Sequence, residues 1–317
     1  MGSPLTIGIA GAGSIGVSFA ILFARQGWPV RLWDPDQERC SRLSGELEAR
    51  AHDLIRYGLF DRPAEVLLAP IEVVDSLERV VDQAHLVMEC APEKLAIKTS
   101  LFATLDALAG PETILASASS AIPVSQVAEA LPGRSRCLVA HPGNPPHLIP
   151  VIEIVPAPFT SAEVVQRAKD LFIRAGQKPV VLNCEIEGFI FNRLQGALLR
   201  EAYCLVRDHV ASVEDIDCVV REGLGLRWSV IGPFETADLN TRGGIEQHAA
   251  KLGPAYERMG ALRGQHDPWT PGLVAEVTRQ RRALLPLEQW DERVAWRDRA
   301  LMTRVRQRSE PQLDGEA

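Results

Sequence analysis

Apolar positions change their spacing once along the chain, and the change divides it. Up to about residue 182, short apolar runs alternate with stretches of helical periodicity. Leu5 to Ala10 predicts a strand, and the stretch behind it, Val17 to Ala24, is apolar on nearly every side, as a buried helix is. Val30-Arg31-Leu32-Trp33 predicts the second strand, and 37–57 the second helix, with Leu43, Leu47, Leu54 and Ile55 among its apolar positions. Further strands are expected at 71–74, 85–91, 113–117, 136–141, 151–155 and 178–182, and helices at 77–81, 93–108, 124–130 and 162–175, with Ser76 placed to cap the first of these. From Phe189 onward only helical periodicity is found, at 189–206, 213–222, 233–239, 244–259, 271–284 and 287–305. Strand and helix in alternation predict an α/β domain of Rossmann type, a doubly wound, mostly parallel sheet covered on both faces. The expected division is a Rossmann domain at 1–185, an all-α domain at 186–308 and a polar, disordered tail at 309–317.

Composition narrows the classes. The net charge of −7 argues against a nucleic-acid binder, whose phosphate contacts need clustered Lys and Arg. No apolar run approaches the roughly 18 residues that span a bilayer, so no membrane association is expected. No cationic leader precedes the first strand, which points to a cytoplasmic protein. The six cysteines form no C-x-x-C pair, and free thiols are expected. No metal site is expected.

The chemistry starts at Gly11-Ala12-Gly13-Ser14-Ile15-Gly16, which lies between the first strand and the first helix. Glycines there permit a tight turn, close approach of backbone to a pyrophosphate and close helix–strand packing. The helix N-terminus offers unpaired N–H groups to the phosphates. Asp34 closes the second strand, where a carboxylate accepts the ribose hydroxyls of adenosine and repels a 2′-phosphate. The expected cofactor is NAD, held by Gly11, Gly13, Ser14, Ile15, Gly16 and Asp34; Arg31 and Arg39 flank the acid and pull the other way. Asp34 can instead simply open a turn with Pro35.

Four more residues fall at strand ends or helix starts, where open parallel sheets bind ligands: Ser120, His141, Glu153 and Asn192. Oxidation of an alcohol needs a base near neutral pH, a carboxylate to orient it, and donors for the substrate oxygen. These four residues can supply those roles. Spacing alone leaves open that His141 is structural and that Glu153 is a solvent-facing residue of an edge strand.

The ordered series Gly11 to Gly16, Glu89-Cys90-Ala91-Pro92-Glu93-Lys94-Leu95, Ser117-Ala118-Ser119-Ser120, His141-Pro142-Gly143-Asn144-Pro145-Pro146, Val151 to Val155, Gly188 to Gln195 and Ile231 to Thr236 resembles the 3-hydroxyacyl-CoA dehydrogenase family. Within it the chain is most similar to the lambda-crystallin and L-gulonate 3-dehydrogenase branch. The resemblance implies that His141 and Glu153 are the catalytic pair, with Ser120 and Asn192 on the substrate oxygen. It also implies that Glu93 and Lys98 lie near the nicotinamide end of NAD, and that the helical domain pairs two subunits into a homodimer. Ser119 competes with Ser120 for its role, and Gly143 stands where that branch has a bulkier residue. The lysine-rich extension of the CoA-using branch is missing, which disfavours acyl-CoA. Arg227 and Trp228 suggest a carboxylate and an aromatic wall, as in carnitine dehydrogenases; equally, Arg227 caps a helix and Trp228 is core. Asp238 follows as a residue of the same pocket. The reading is an NAD-dependent dehydrogenase of small 3-hydroxy acids, L-gulonate-like ones first, with L-carnitine and short acyl-CoA substrates, or a non-catalytic crystallin-like role, as alternatives.

Overall fold

The computed structural model describes residues 5–264, 270–290, 292, 293 and 296. The chain divides into two compact units at Leu199/Arg200. In the first, eight strands form one sheet in the order β3-β2-β1-β4-β5-β6-β7-β8. They are β1 (Ile7–Ala10), β2 (Val30–Trp33), β3 (Ile71–Val73), β4 (Leu86–Glu89), β5 (Ile114–Ser117), β6 (Cys137–Pro142), β7 (Val151–Pro156) and β8 (Lys178–Val181). All neighbours run parallel except β6 and β7. Between them lie α1 (Ser14–Ala24), α2 (Gln37–Arg56), α3 (Ala64–Leu68), α4 (Leu77–Val81), α5 (Leu95–Leu108), α6 (Val124–Ala128) and α7 (Ala162–Arg174).

The strands next to the middle of the sheet, β1, β4 and β5, are buried at every residue. Such strands need apolar side chains on both faces, which is why they read as runs and not as alternations. α1 is likewise buried along its length from Gly16, whereas α2 buries one stripe, Leu43, Leu47, Ala51 and Leu54. Asp36 caps α2 by accepting the Glu38 and Arg39 N–H groups, and Ser161 caps α7 through Val164. Phe19, Phe23, Trp28 and Phe172 meet ring to ring, so α1 and α7 share one core.

One local expectation fails here: Ser76 sits at the N-cap of α4, yet its side chain makes no capping bond. α3 is an element that was not expected; it is as short as α4 and starts after Pro63 without a side-chain cap, so no start signal marks it.

The helix α8 (Phe191–Arg207) begins in the first unit and runs on into the second. The second unit continues with α9 (Val213–Cys218), a π turn at Val219–Leu224, α10 (Gly225–Trp228), α11 (Pro233–Asn240), α12 (Gly244–Leu262) and α13 (Pro271–Leu284). One helix was expected at 213–222; instead the chain stays helical to Trp228 through the π turn. There the Gly225 N–H reaches the Val220 carbonyl, and a Cβ at Gly225 would lie 2.8 Å from that oxygen. The expected helix at 287–305 is described only as a 3₁₀ turn, Leu287–Gln289, and a few residues beyond; the rest, like the tail 309–317, lies outside the described residues. No described helix is long and apolar enough to cross a membrane. All six cysteines are free.

Candidate active site

The glycine turn leaves β1 and enters α1 under tight steric limits. Gly11 has φ +109°, and a Cβ on it would lie 2.6 Å from the Cys90 backbone. A Cβ on Gly16 would lie 1.9 Å from the Gly11 carbonyl oxygen, so helix and turn touch there through backbone alone. Gly13 is the N-cap of α1 and supplies no side-chain acceptor to the first turn, and a Cβ on it would meet nothing within 4 Å. The turn therefore opens a helix N-terminus whose leading N–H groups face open space.

Asp34, just past β2, accepts the Ala12 N–H through Oδ2 at 2.7 Å and the Asp36 N–H through Oδ1 at 3.0 Å. Gly11, Gly13, Ser14, Ile15, Trp33 and Asp34 line one wall of a cavity of about 870 Å³, and Cys90, Ala91, Pro92 and residues of α5 line the other. Both arginines beside Asp34 are engaged. Arg31 turns to Asp82 and the Arg79 carbonyl. Arg39 donates to the Ala12 carbonyl at 2.7 Å and pairs with Glu46 at 2.5 Å.

At the far end of the groove, acids organise two loops. Glu89, in β4, is fully buried; its carboxylate accepts the Ala91 N–H, the Ser117 hydroxyl at 2.6 Å and the Lys98 ammonium at 3.0 Å on both oxygens. Lys98 is 1% exposed and also donates to the Ala91 carbonyl. It lies 3.5 Å from Glu93. Glu93 in turn accepts the Ser119 hydroxyl at 2.5 Å and the Ser120 and Ala121 N–H groups at 3.1 and 3.0 Å. Burial acts to raise the Glu93 pKa, but the Ser119 hydroxyl, the Lys98 charge and the backbone donors outweigh it and hold the carboxyl below its ordinary range. Lys98 thus departs from the expected picture: its ammonium is enclosed by protein oxygens beneath the groove, and it meets the loops through Glu89 and Glu93.

His141, in β6, and Glu153, in β7, are direct cross-strand partners. They are 5% and 3% exposed, and His141 Nδ1 lies 2.7 Å from Glu153 Oε2. The solvent-facing alternative for Glu153 is excluded. Its second oxygen accepts the Ile190 and Phe191 N–H groups at 2.7 and 3.0 Å, where α8 begins. One carboxylate therefore fixes both the imidazole and the start of the helix that carries Asn192. Phe189 and Phe191 pack on the imidazole ring. Asn192 donates to the Ser120 carbonyl at 2.9 Å, which brings Ser120, Asn192, Glu153 and His141 into one connected cluster. Ser119 is buried and spent on Glu93, whereas Ser120 is exposed and its hydroxyl makes no hydrogen bond among the described residues. A Cβ at Gly143 would lie 2.5 Å from Ile149, so a bulkier residue there demands a different loop after His141.

The second unit holds the remaining candidates. Arg227 ends with its Nε buried and without a hydrogen-bond partner among the described residues. Trp228 is 39% exposed and is not core. Asp238 is a correction: it is fully buried, accepts the Ile245 N–H at 2.9 Å and pairs with Arg282, so it ties α11 to α12 and α13 instead of facing a ligand.

Glu89, Ser117 and the two N–H groups on Glu153 escaped the sequence reading. A signal for the first existed: an acid inside an apolar strand run must find a partner. The backbone donors leave none.

Two family models match the chain. Residues 6–185 match the NAD-binding domain of 3-hydroxyacyl-CoA dehydrogenase, and residues 188–276 its C-terminal domain. The chain belongs to the 3-hydroxyacyl-CoA dehydrogenase family. As a member it is an NAD-dependent oxidoreductase acting on a hydroxyl-bearing carbon. Among its relatives in the family, the bovine lambda-crystallin homolog is 39% identical over 95% of this chain and 94% of its own length. An L-carnitine dehydrogenase of Streptomyces coelicolor is 37% identical over 86% of this chain and 83% of its own. The solved structure of 5-formyl-3-hydroxy-2-methylpyridine 4-carboxylic acid 5-dehydrogenase, an NAD+-dependent dismutase, covers 95% of this chain and 99% of its own with TM-score 0.72 and 28% identity. The groove suits the family's cofactor: an uncapped helix N-terminus for the pyrophosphate and a carboxylate beside the turn for a ribose.

Proposed function

We propose that this protein oxidises the secondary alcohol of a small 3-hydroxy acid, L-gulonate-like acids being the preferred class. The observation that carries the reading is the buried His141–Glu153 pair at 2.7 Å, joined through α8 and Asn192 to the exposed Ser120. NAD held at the glycine turn by Gly11, Gly13, Ser14, Ile15, Gly16 and Asp34 supplies the two-electron acceptor. His141 takes the hydroxyl proton on Nε2. Glu153 keeps the proton of Nδ1 in place and stabilises the imidazolium as it forms, the logic of an oriented base. Ser120 and the free part of the Asn192 amide donate to the substrate oxygen, where charge develops. Glu93 shapes the serine loop that carries one of these donors.

Arg227 is assigned to the substrate carboxylate, supported by its Nε, which has no partner among the described residues, and Trp228 to the pocket wall. That exposed aromatic, with the likeness to an L-carnitine dehydrogenase, supports a quaternary ammonium acid as the second substrate reading. The protein acts as a homodimer: α8 buries none of its residues, and Leu194, Leu199 and Tyr203 on it are 61%, 45% and 76% exposed.

The test is NADH formation, followed by absorbance, with L-gulonate, L-carnitine, 3-hydroxybutyrate and 3-hydroxybutyryl-CoA. Highest kcat/KM on L-gulonate is expected. Highest kcat/KM on the CoA thioester refutes the free-acid reading, and tight NADH binding without turnover of any substrate supports the crystallin-like alternative.

A further inference from the structure

Ala12, in the middle of the glycine turn, is held on both sides. Its N–H goes to Asp34 and its carbonyl accepts from Arg39. Arg39 stands in the first turn of α2, five residues after Asp34, and is the first cation to follow the acid that is assigned the ribose; Arg31, three residues before that acid, is turned to Asp82. Its guanidinium does not stand free. Glu46, two turns further along α2, pairs with it at 2.5 Å and with Arg50 at 2.7 Å, while Arg50 also donates to the Ser18 hydroxyl at 2.6 Å. One carboxylate thus pairs with two arginines behind the turn, and Arg50 is held on the Ser18 side. Burial acts to raise the Glu46 pKa, and the hydrogen bonds and charges of Arg39 and Arg50 overcome it, so the carboxyl is held below its ordinary range and is ionised at neutral pH.

We infer that Glu46 is a specificity-determining residue for the dinucleotide: by neutralising Arg39 it denies a 2′-phosphate the cation it would need beside Asp34. The inference rests on the assignment of Asp34 to the adenosine ribose. It adds a second exclusion to that of Asp34. The acid at the end of β2 repels the phosphate, and the acid on α2 removes the cation that would compensate. Glu46 touches no cofactor in this role and acts through Arg39, as a positioning residue.

The test measures binding of NADH and NADPH to the full-length protein by nicotinamide fluorescence, so turnover is not needed. Glu46→Gln keeps the side-chain shape and removes the charge. It is expected to raise NADPH affinity relative to NADH by about 5–10-fold, the size of one screened, partly exposed charge interaction at short range. The gain should shrink at high salt. Arg39→Met/Glu46→Gln should return the ratio to the wild-type value, because the freed cation is gone; a gain that survives in the double variant overturns the inference. So does an unchanged ratio in a folded Glu46→Gln protein. Asp34→Ala separates the two readings: unchanged NADH affinity there removes the ribose assignment, whereas a fall in NADH affinity with no response of the ratio to Glu46→Gln removes only the role of Glu46.

Discussion

Asn192 donates its side-chain amide to the backbone carbonyl of Ser120 at 2.9 Å, which ties the first turn of α8 to the loop after β5. One amide hydrogen is spent on this tie, and the other remains for a substrate oxygen. Asn192→Ala removes both. It is expected to lower kcat by about 10²–10³-fold, the loss of one donor at a developing charge, with NADH affinity largely retained. Steady-state kinetics beside NADH titration checks this. Equal losses in kcat and NADH binding would assign Asn192 to the cofactor instead.

The His141–Glu153 pair should fail asymmetrically. His141→Ala removes the base and is expected to cost about 10²–10⁴-fold in kcat with NADH affinity retained. Glu153→Gln withdraws the charge that stabilises the imidazolium and turns an NH2 donor either toward the imidazole or toward the Ile190 and Phe191 N–H groups, so kcat falls and the melting temperature falls with it. Turnover near wild type in His141→Ala would take this residue out of the reaction.

The buried Glu89–Lys98 pair separates stability from alignment. Lys98→Met strands a buried carboxylate and should cost about 3–5 kcal/mol, whereas Glu89→Leu/Lys98→Met replaces both charges and should regain most of that. Turnover in the double variant is expected to stay low, because Glu93 has lost its cation and the Ser120 loop its brace. Thermal melts and kcat measured together decide it: turnover that recovers with the melting temperature would make the pair purely structural.

His147, in the loop after His141, has its pKa pushed down to about 4 by burial and by the charges of Arg50 and Arg25. The folded protein then binds fewer protons than the unfolded chain between about pH 6.5 and 4. Stability contributed by neutral His147 is complete above that window and is lost as pH falls through it. His147→Phe should flatten the decline in melting temperature over those values. The same slope in the variant would assign the decline elsewhere; Glu46 and Glu93, whose pKa values are lowered, act only below the ordinary carboxylate range.

α8 supplies the test of assembly. Leu199→Glu with Tyr203→Glu places two charges on one exposed apolar stripe and is expected to halve the mass seen by light scattering. A protein that is already a monomer, or a dimer indifferent to both charges, would remove α8 from the interface.

Much of this architecture could be read from residue spacing, and the reasons for the exceptions are physical. Buried parallel strands announce themselves as apolar runs, and the turn at Gly11 and Gly16 tolerates little else in its place. The antiparallel course of β7 left no trace, since a run such as Val151 to Val155 reads alike in either direction. His141 and Glu153 were therefore visible as residue types but not as neighbours. Lys98 was visible as a cation near the groove, while its enclosure depended on Glu89 and Ser117, which only the fold brings together. Asp238 looked like a pocket residue because its partners, Arg282 and the Ile245 N–H, lie on other helices.

The pairing of β6 with β7 has one more effect. The proposed acid–base couple depends on strand register, which sets His141 directly opposite Glu153. A slip of one residue would turn Glu153 to the opposite face, so the register tolerates no drift. The connecting segment shares that constraint, because the register of a hairpin follows the length of its loop. Gly143 is tied to the Val151 carbonyl, and the Pro146 and His147 carbonyls accept from Gln177 and Arg25, so a change in the segment's length would pull the two strands, and with them the couple, out of line.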